Sequence, residues 1–279
     1  MYRRLTTLAL FTPLAVTTHA TAELIVYEGF DYSSPVVDGT DIAGLSGGTP
    51  TGSPGFNGSV WRDGNNGTRA EFVFEETGLA YTDGLGNELI VGGGSTVEPD
   101  TGNTSVYFRE FDKGSGLLDT GNAVYFSFLT AVVGDGSRVF GLTTSDTNFG
   151  FRLFRDAGFW RVQIGGVGVT STVSTDNFDG LVVGRITMKD GNDDFEIWFN
   201  PDDISSEAAL GTADIQFLDG ANTPNFNRFR LEGGNFPTDL QFDEIRLGTT
   251  FADVVPIPEP GSLALIGLGG LVIAARRRN

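Results

Sequence analysis

The sequence predicts an all-β fold, a two-sheet antiparallel β-sandwich, and three observations lead to it. Short segments rich in Val, Ile, Phe and Tyr alternate with turns rich in Gly, Asn and Asp, and almost no stretch has helical periodicity. The chain contains 23 phenylalanines, enough to fill a large core. About a dozen short strands would leave long exposed edges in a single open sheet, so we expect two packed sheets.

The expected elements follow one another closely along the chain. The strands predicted in the first half are residues 23–30, 71–74, 88–91, 105–111, 123–133 and 138–142. Those predicted in the second half are residues 151–154, 159–164, 181–189, 195–200, 227–232 and 240–247. Residues 204–210 and 250–254 favour short helices. The glycine-rich residues 39–67 predict a polar surface loop that could border a binding face.

The N-terminal segment has the features of a signal peptide. Arg3 and Arg4 precede a mostly apolar stretch, residues 5–16, and Ala20-Thr21-Ala22 has the small residues that signal peptidase requires. The sequence therefore predicts cleavage between Ala22 and Glu23 and ordinary secretory export.

The C-terminal segment is apolar but short. Residues 261–275 carry no charge and would span roughly 22 Å as a helix, against a hydrocarbon core of about 30 Å. Three arginines follow and would remain on the cytoplasmic side. We therefore expect only transient contact with a membrane.

A Pro-Glu-Pro motif precedes that apolar stretch, and the order of the parts resembles the PEP-CTERM sorting signal of Gram-negative bacteria. The residues that carry the resemblance are Pro258, Glu259, Pro260, Arg276, Arg277 and Arg278. The resemblance implies that residues 256–279 are a sorting tail, processed by an exosortase during export to the cell surface or extracellular matrix. Residues 23–255 then form the expected sandwich domain.

Composition excludes several classes of function. The net charge is −18, and the arginines at both ends lie in segments expected to be removed, so nucleic acid and anionic lipid are not expected as partners. The chain has no cysteine, and its single histidine, His19, lies in the predicted signal peptide. Catalysis by thiol or imidazole is therefore not expected, and carboxylates would have to act instead.

A second resemblance concerns the sandwich itself. The segments LIVYEGFDY at residues 24–32 and LQFDEIRLGTTFADV at residues 240–254 resemble the first and last strands of concanavalin A-like jelly rolls, a layout shared with laminin-G-like domains. Glycosidases of this fold carry Glu-x-Asp-x-x-Glu on one strand, and that spacing is absent here. The resemblance thus implies a lectin-like fold and favours a protein that is not an enzyme.

Two acidic residues are candidates for a structural calcium site. Glu28 and Asp243 fall on the expected apolar faces of the first and last strands, where a carboxylate is costly unless it is paired. A calcium ion would satisfy both, and concanavalin A-like families use oxygens of these strands in that way. The alternative is that Glu28 pairs with Arg246 or lies at a rim.

One tryptophan is a candidate platform for a sugar ring. In DFEIWFN, residues 194–200, Trp198 shares a face with Glu196 and Asn200, whereas Trp160 is predicted to lie in the core. The alternative is that Trp198 packs beneath a loop. Arg161, Gln163, Arg228 and Arg230 are also predicted to face away from the core.

Together these features predict an exported surface or extracellular-matrix protein, without enzymatic activity, that associates with extracellular polysaccharide. The alternatives left open are a dedicated carbohydrate-binding module, a carboxylate-based glycan-active enzyme, and a structural subunit that assembles with its own kind.

Overall fold

The computed structural model describes residues 23–32, 36–51, 54–64, 71–98, 104–132, 137–145, 149–223, 225–234 and 240–258. Its first strands are β1 (Leu24–Glu28), β2 (Arg62–Asp63), β3 (Val73–Glu75), β4 (Ser95–Glu98), β5 (Ser105–Glu110), β6 (Ala123–Val132), β7 (Ser137–Thr143) and β8 (Phe149–Asp156). The later strands are β9 (Phe159–Ile164), β10 (Val167–Ser174), β11 (Asp179–Thr187), β12 (Asp193–Phe199), β13 (Ile215–Ala221), β14 (Arg228–Gly234) and β15 (Leu240–Gly248). A 3₁₀ helix, Glu207–Leu210, and a one-turn helix α1, Phe251–Val254, complete the described elements.

These strands form two antiparallel sheets, as the sequence predicts. Within the described residues, one sheet has eight strands in the order β13-β12-β11-β6-β15-β4-β3, with β1 also paired to β15. The other has seven strands in the order β10-β9-β8-β7-β14-β5-β2. The predicted first and last strands are indeed paired, with Glu28 opposite Ile245 and Tyr27 opposite Arg246.

The inner core lies between the two sheets and is rich in phenylalanine. Phe126 and Phe128 of β6 stack on Phe140 of β7, with ring centroids 5.6 and 4.3 Å apart, so these contacts join the eight-stranded sheet to the seven-stranded one. Trp160 is buried in the same core, as predicted. Because one face of each strand supplies these residues, the opposite face is free for other contacts.

Some predicted elements were wrong. Residues 88–91 are not a strand; apart from an isolated bridge between Thr82 and Glu88, they belong to a loop across the eight-stranded sheet. The sequence did not indicate β2, β4, β10 or β13. Strand β10 is the edge of its sheet and consists largely of Val, Gly, Ser and Thr, a composition with no clean apolar alternation. Of the helix predicted at 204–210, only the 3₁₀ turn forms.

The predicted surface loop 39–67 is also more than a loop. Its side chains Ile42, Phe56 and Trp61 are buried in the inner core. Isolated bridges join its backbone to the sheets, from Asp41 to Val73 and from Gly55 to Asp112. Isolated aromatics among glycines lack any periodicity, so the pattern gave no sign of their burial.

The sandwich ends slightly beyond the predicted boundary at residue 255. A capping box formed by Thr250 and Asp253 starts α1, and the chain then runs back over the eight-stranded sheet. The N–H of Ile90 donates to the carbonyl of Pro256 at 2.9 Å, and Ile257 packs on the apolar residues there. Residues 23–258 therefore contain every described strand and helix and form the folding unit for the experiments below.

Candidate functional site

The outer face of the eight-stranded sheet is covered by its own chain. Its apolar side chains include Tyr125, Leu129 and Trp198. Three segments, within residues 79–92, 201–214 and 249–257, place further apolar side chains on them. We call this second apolar cluster the outer cluster; its buried members are Leu89, Tyr125, Leu129, Leu181, Val183, Trp198, Ile204, Leu210, Ala213, Phe251, Val254 and Val255. This face is therefore packed as a second core.

Trp198 belongs to that outer cluster, so the expectation of an exposed ring is wrong and the alternative, packing beneath a loop, is correct. Only 5% of the residue is exposed, and its indole N–H donates to the carbonyl of Gly211 at 3.1 Å. Trp198 does lie on the outer face, as the alternation predicts. The segment after β12 folds back over it because burying an indole on an otherwise apolar face is favourable.

The two polar neighbours predicted beside Trp198 have structural contacts. Glu196 pairs with Arg185 on the adjacent strand β11, and Arg185 also pairs with Glu207 of the 3₁₀ helix. Asn200 accepts a hydrogen bond from the N–H of Leu181 at 2.8 Å and donates to the carbonyl of Asp179 at 2.9 Å. These contacts join the covering segment and the ends of the strands.

Glu28, the first candidate calcium ligand, is a fully buried partner of an arginine. One carboxylate oxygen pairs with Arg109 of β5 and accepts the indole N–H of Trp61 at 3.2 Å. The other accepts the N–H of Phe30 at 2.8 Å. Arg109 also lies 3.6 Å above the ring of Phe56, and desolvation lowers its pKa to about 9. The partner that compensates the charge of Glu28 is therefore Arg109, and not Arg246.

Asp243, the second candidate, lies on the opposite side of the sheet from Glu28. It is paired with Leu129, a residue of the outer cluster, at a bulge of β15. Its oxygens accept the N–H groups of Leu79 and Glu244, both at 2.7 Å. The prediction that Glu28 and Asp243 share one ion is thus wrong, because inner and outer faces separate them.

The surroundings of Asp243 perturb its titration. Burial raises the pKa of Asp243 to about 8, and the charge of Glu244 adds to that rise. Glu244 is fully buried, with φ of 53°, and accepts hydrogen bonds from Tyr27 at 2.9 Å and Gly92 at 2.7 Å. Arg246 pairs with Glu244 at 2.5 Å. A raised carboxyl pKa often marks a catalytic acid, but these two carboxylates are buried and fix the bulge and the loop above it.

The described residues contain no group of three His, Cys, Asp or Glu side chains that could hold a metal ion. Calcium binding therefore remains a prediction, and Glu28 and Asp243 are not the pair of ligands that would hold the ion.

The outer face of the seven-stranded sheet differs from the covered face. In register across its strands lie Arg62 (β2), Phe108 (β5), Arg230 (β14), Gly141 (β7), Arg152 (β8), Gln163 (β9) and Gly168 (β10). We call this line the arginine row. It contains an arginine on every second strand from β2 to β8, and a glycine, Gly141, lies between Arg230 and Arg152.

The neighbouring rows add further charge. Arg161 and Phe154 lie on one side of the arginine row together with Glu232, and Arg228 and Glu110 lie on the other. Among the described residues of this face, the arginines outnumber the carboxylates. The arginines are Arg62, Arg152, Arg161, Arg228 and Arg230, and the carboxylates are Glu110, Asp156 and Glu232.

The guanidinium groups of this face are held in place by neighbours. Arg152 donates through Nε to Gln163 at 2.6 Å and lies 4.3 Å from the ring centroid of Phe154. Arg230 pairs with Glu232 at 2.6 Å and lies 5.1 Å from the ring centroid of Phe108. Such contacts hold a planar donor in a fixed orientation, which reduces the entropy lost when it binds a ligand.

Arg152 lies at the centre of this positive charge. Desolvation lowers the pKa of Arg152, the charges of Arg230 and Arg161 lower it further, and Glu232 acts in the opposite direction. A group bearing negative charge placed between these arginines would relieve their mutual repulsion.

The sequence indicated this face only in part. Arg161, Gln163, Arg228 and Arg230 lie on the outer face, as the alternation of their strands predicts. Arg62 and Arg152 were missed because β2 is only two residues long and because no pattern within one strand shows that β14, β7 and β8 are neighbours.

A groove of about 710 Å³ lies at one end of the sandwich and is a second concave feature. Its lining includes Lys113, Asp119 and Asn122 beside the first described residue, Glu23. The N–H of Glu23 donates to the Thr249 hydroxyl at 3.0 Å, which holds this end of the chain on β15. Cleavage between Ala22 and Glu23 stays a prediction, since Ala22 lies outside the described residues.

A comparison with known protein families matches the C-terminal segment of the chain. Residues 256–278 match the family described as the PEP-CTERM protein-sorting motif. Of the sorting residues, Pro258 is the last residue that the structure describes; Glu259, Pro260 and Arg276–Arg278 lie outside the described residues. In the described part of the chain, no helix has the length and apolar character needed to cross a membrane. The motif implies an exported protein that is processed by exosortase and sorted to the cell envelope.

Several solved structures are similar to this chain in fold. One is a sialidase, with 10% identity and a TM-score of 0.39, covering 71% of this chain and 18% of that chain. Another is the metal-free carbohydrate recognition domain of Emp46p, with 9% identity, a TM-score of 0.38 and coverage of 58% and 85%. A third is the exoplasmic/lumenal domain of VIP36 bound to Ca²⁺ and Man2, with 13% identity, a TM-score of 0.37 and coverage of 58% and 79%. A comparison with curated protein sequences found no significant match.

Proposed function

We propose that this protein is a non-enzymatic component of the cell surface or extracellular matrix that binds exopolysaccharide through the outer face of its seven-stranded sheet. The observation that carries the proposal is the contrast between the two outer faces. The chain covers one with its own apolar side chains, and presents on the other a registered row of arginines, a glutamine and glycines.

The sorting tail supports an extracellular place of action. A protein exported to the envelope of a Gram-negative bacterium meets polysaccharide at high concentration, and signal peptidase and exosortase would act on it only during export. Long glycans are extended chains of repeating units, and an extended sheet face can contact several units where a closed pocket holds only one chain end. The proposed ligand is therefore a polymer.

The absence of catalysis is part of the proposal. The expected sandwich domain contains neither histidine nor cysteine, and the Glu-x-Asp-x-x-Glu spacing is missing. The adjacent carboxylates Asp243 and Glu244 are buried and hydrogen-bonded, so neither can reach a glycan. An assay for newly formed reducing ends on each bound polysaccharide should show no release.

The direct test is a binding experiment with residues 23–258 and a panel of bacterial and algal polysaccharides, in calcium and in chelator. We expect saturable binding to at least one class. A flat response to every polymer would overturn glycan binding and leave assembly with other copies as the function. A higher melting temperature in calcium than in chelator would establish the calcium site that remains a prediction.

Sorting is tested separately. Replacing Arg276, Arg277 and Arg278 with glutamine in the full chain should reduce surface display, because the positive cluster is what stops translocation of the apolar segment. Unchanged display would contradict the role of the tail, with no bearing on the binding face.

A further inference from the structure

The arginine row has a spacing that a polymer can match. Neighbouring strands of a sheet lie 4.7–4.9 Å apart, so residues in register on every second strand are separated by roughly 9.5 Å. Arg62, Arg230 and Arg152 follow this spacing on β2, β14 and β8. That distance is about the length of one disaccharide in an extended chain.

The side chains between the arginines leave room for such a chain. Gly141 lies between Arg230 and Arg152 and has no side chain, and Gly168 follows Gln163 at the end of the row. Phe108, which lies between Arg62 and Arg230, is buried and forms a flat floor under the guanidinium of Arg230. Arg62 is exposed and Arg152 is half-buried, whereas the side chain of Arg230 is only 11% exposed where it pairs with Glu232. A ligand would therefore reach Arg230 by displacing Glu232.

Guanidinium groups select a particular ligand chemistry. The planar fork of N–H donors matches carboxylate and sulfate groups, with which it forms charge-assisted hydrogen bonds that are stronger than neutral ones. Neutral sugar hydroxyls need no excess of positive charge. Charge selectivity would thus follow from the residues of this face.

The charge of the rest of the molecule restricts where an acidic polymer can bind. With a net charge of −18, the chain as a whole repels polyanions. Salt ions screen this repulsion less at short range, so it acts most strongly on a polyanion that lies close to the protein surface. A polyanion that binds at all would therefore be directed to the arginine face.

We propose, resting on the glycan binding proposed above, that the ligand is an acidic polysaccharide that lies across the strands along the arginine row and whose carboxylate or sulfate groups face the sheet at least once per disaccharide. Arg230 and Arg152 bind its acidic groups, Arg62 binds the next one, and Gln163 contacts a hydroxyl. Glu232 competes with the ligand for Arg230, to which it is bound at 2.6 Å in this structure.

The experiment compares matched polymers on residues 23–258. Polygalacturonate is set against its methyl ester, and dextran sulfate against dextran, by titration calorimetry at two salt concentrations. We expect binding to an acidic member of a pair, weakening as salt rises, and at least about tenfold weaker binding to its neutral counterpart. The two pairs distinguish carboxylate from sulfate.

Three variants identify the site. The double variant R152Q/R230Q should bind the acidic polymer at least about tenfold more weakly, whereas R152K/R230K, which keeps the charge, should lose less. The matched control K113Q/K189Q removes the same charge from the end groove and a hairpin and should bind normally. Glu232→Gln should bind more tightly. Equal melting temperatures establish that each variant is folded.

The outcomes separate this inference from the proposed function. Equal binding of neutral and acidic members of a pair would overturn the acidic ligand and keep glycan binding. Binding that is unaffected in R152Q/R230Q would overturn the arginine row as the site. The parent protein could instead bind no polymer but self-associate, and R152Q/R230Q could abolish that self-association. This result would overturn both the acidic ligand and glycan binding, and the partner of the arginine row would be a second, acidic copy of this chain.

Discussion

The outer faces of the two sheets have the same alternating strand geometry but opposite outcomes. On the eight-stranded sheet the outward side chains are Tyr125, Leu129 and Trp198, and loops fold over them. On the seven-stranded sheet they include Arg62, Arg152, Arg161, Arg228 and Arg230 beside Phe108 and Phe154, and none of these belongs to an apolar cluster of the described residues. An outward tryptophan therefore marks an additional core in this protein, and the outward arginines mark the face that we propose binds a ligand.

The largest effect is expected on the covered face. Trp198→Ala should destabilise the fold by about 3–5 kcal/mol, because it leaves a cavity under the covering segment and an unpaired carbonyl at Gly211. Chemical denaturation measures this loss. Trp198→Phe, which keeps most of the volume, should lose less.

The same variant tests where the ligand binds. In conditions where Trp198→Ala is folded, its affinity for polysaccharide should equal that of the parent protein. A fold of unchanged stability with lost binding would mean that Trp198 is a binding platform after all, and the contrast between the faces would fail.

Asp243 gives the covered face a pH dependence. Its pKa of about 8 in the folded protein lies above its ordinary value of 3.8, so between these two pH values the folded state holds a proton that the unfolded state has released. Its contribution to stability is therefore fully present below about pH 4 and is lost as the pH rises to about 8.

Thermal melts of the parent and of Asp243→Asn across this range measure that contribution. The melting temperature of the parent should fall relative to that of the variant as pH rises from 5 to 8. Parallel pH profiles for the two proteins would contradict the burial and charge effects assigned to Asp243.

A smaller effect distinguishes two arginines of similar setting. Arg185 of the covered face joins Glu196 and Glu207, so Arg185→Gln should cost about 1 kcal/mol and leave polysaccharide binding unchanged. Arg152→Gln on the other face should cost a similar amount, about 0.5–1 kcal/mol, through loss of its contact with Phe154, but should weaken binding. If Arg185→Gln weakened binding and Arg152→Gln did not, the ligand would bind the covered face instead, and the proposed binding face would be wrong.

The sequence predicted the sandwich because its signals are local. Alternation in segments such as 159–164 and 195–200 places Trp160, Phe195 and Ile197 inside, and the structure confirms each. The position of Trp198 on the outer face was equally predictable. Its burial was not, because it depends on residues 201–214 folding back, a contact between segments with no periodic pattern.

The ion pair between Glu28 and Arg109 could not be predicted from the sequence for the same reason. Glu28 was recognised as a buried carboxylate that needs compensation, but its partner Arg109 lies on the other sheet, and no spacing along the chain relates them. The arginine row is likewise a property of strand order. Its members come from β2, β14 and β8, which are far apart in sequence and alternate in register in the folded sheet.

The most direct test of the open binding face is hydrogen–deuterium exchange of residues 23–258 with and without a saturating polysaccharide. Slower exchange should appear in β5, β14, β8 and β9 and not in the segments 79–92, 201–214 and 249–257 that cover the other sheet. Protection confined to those covering segments, or to the groove beside Lys113 and Asp119, would contradict the account.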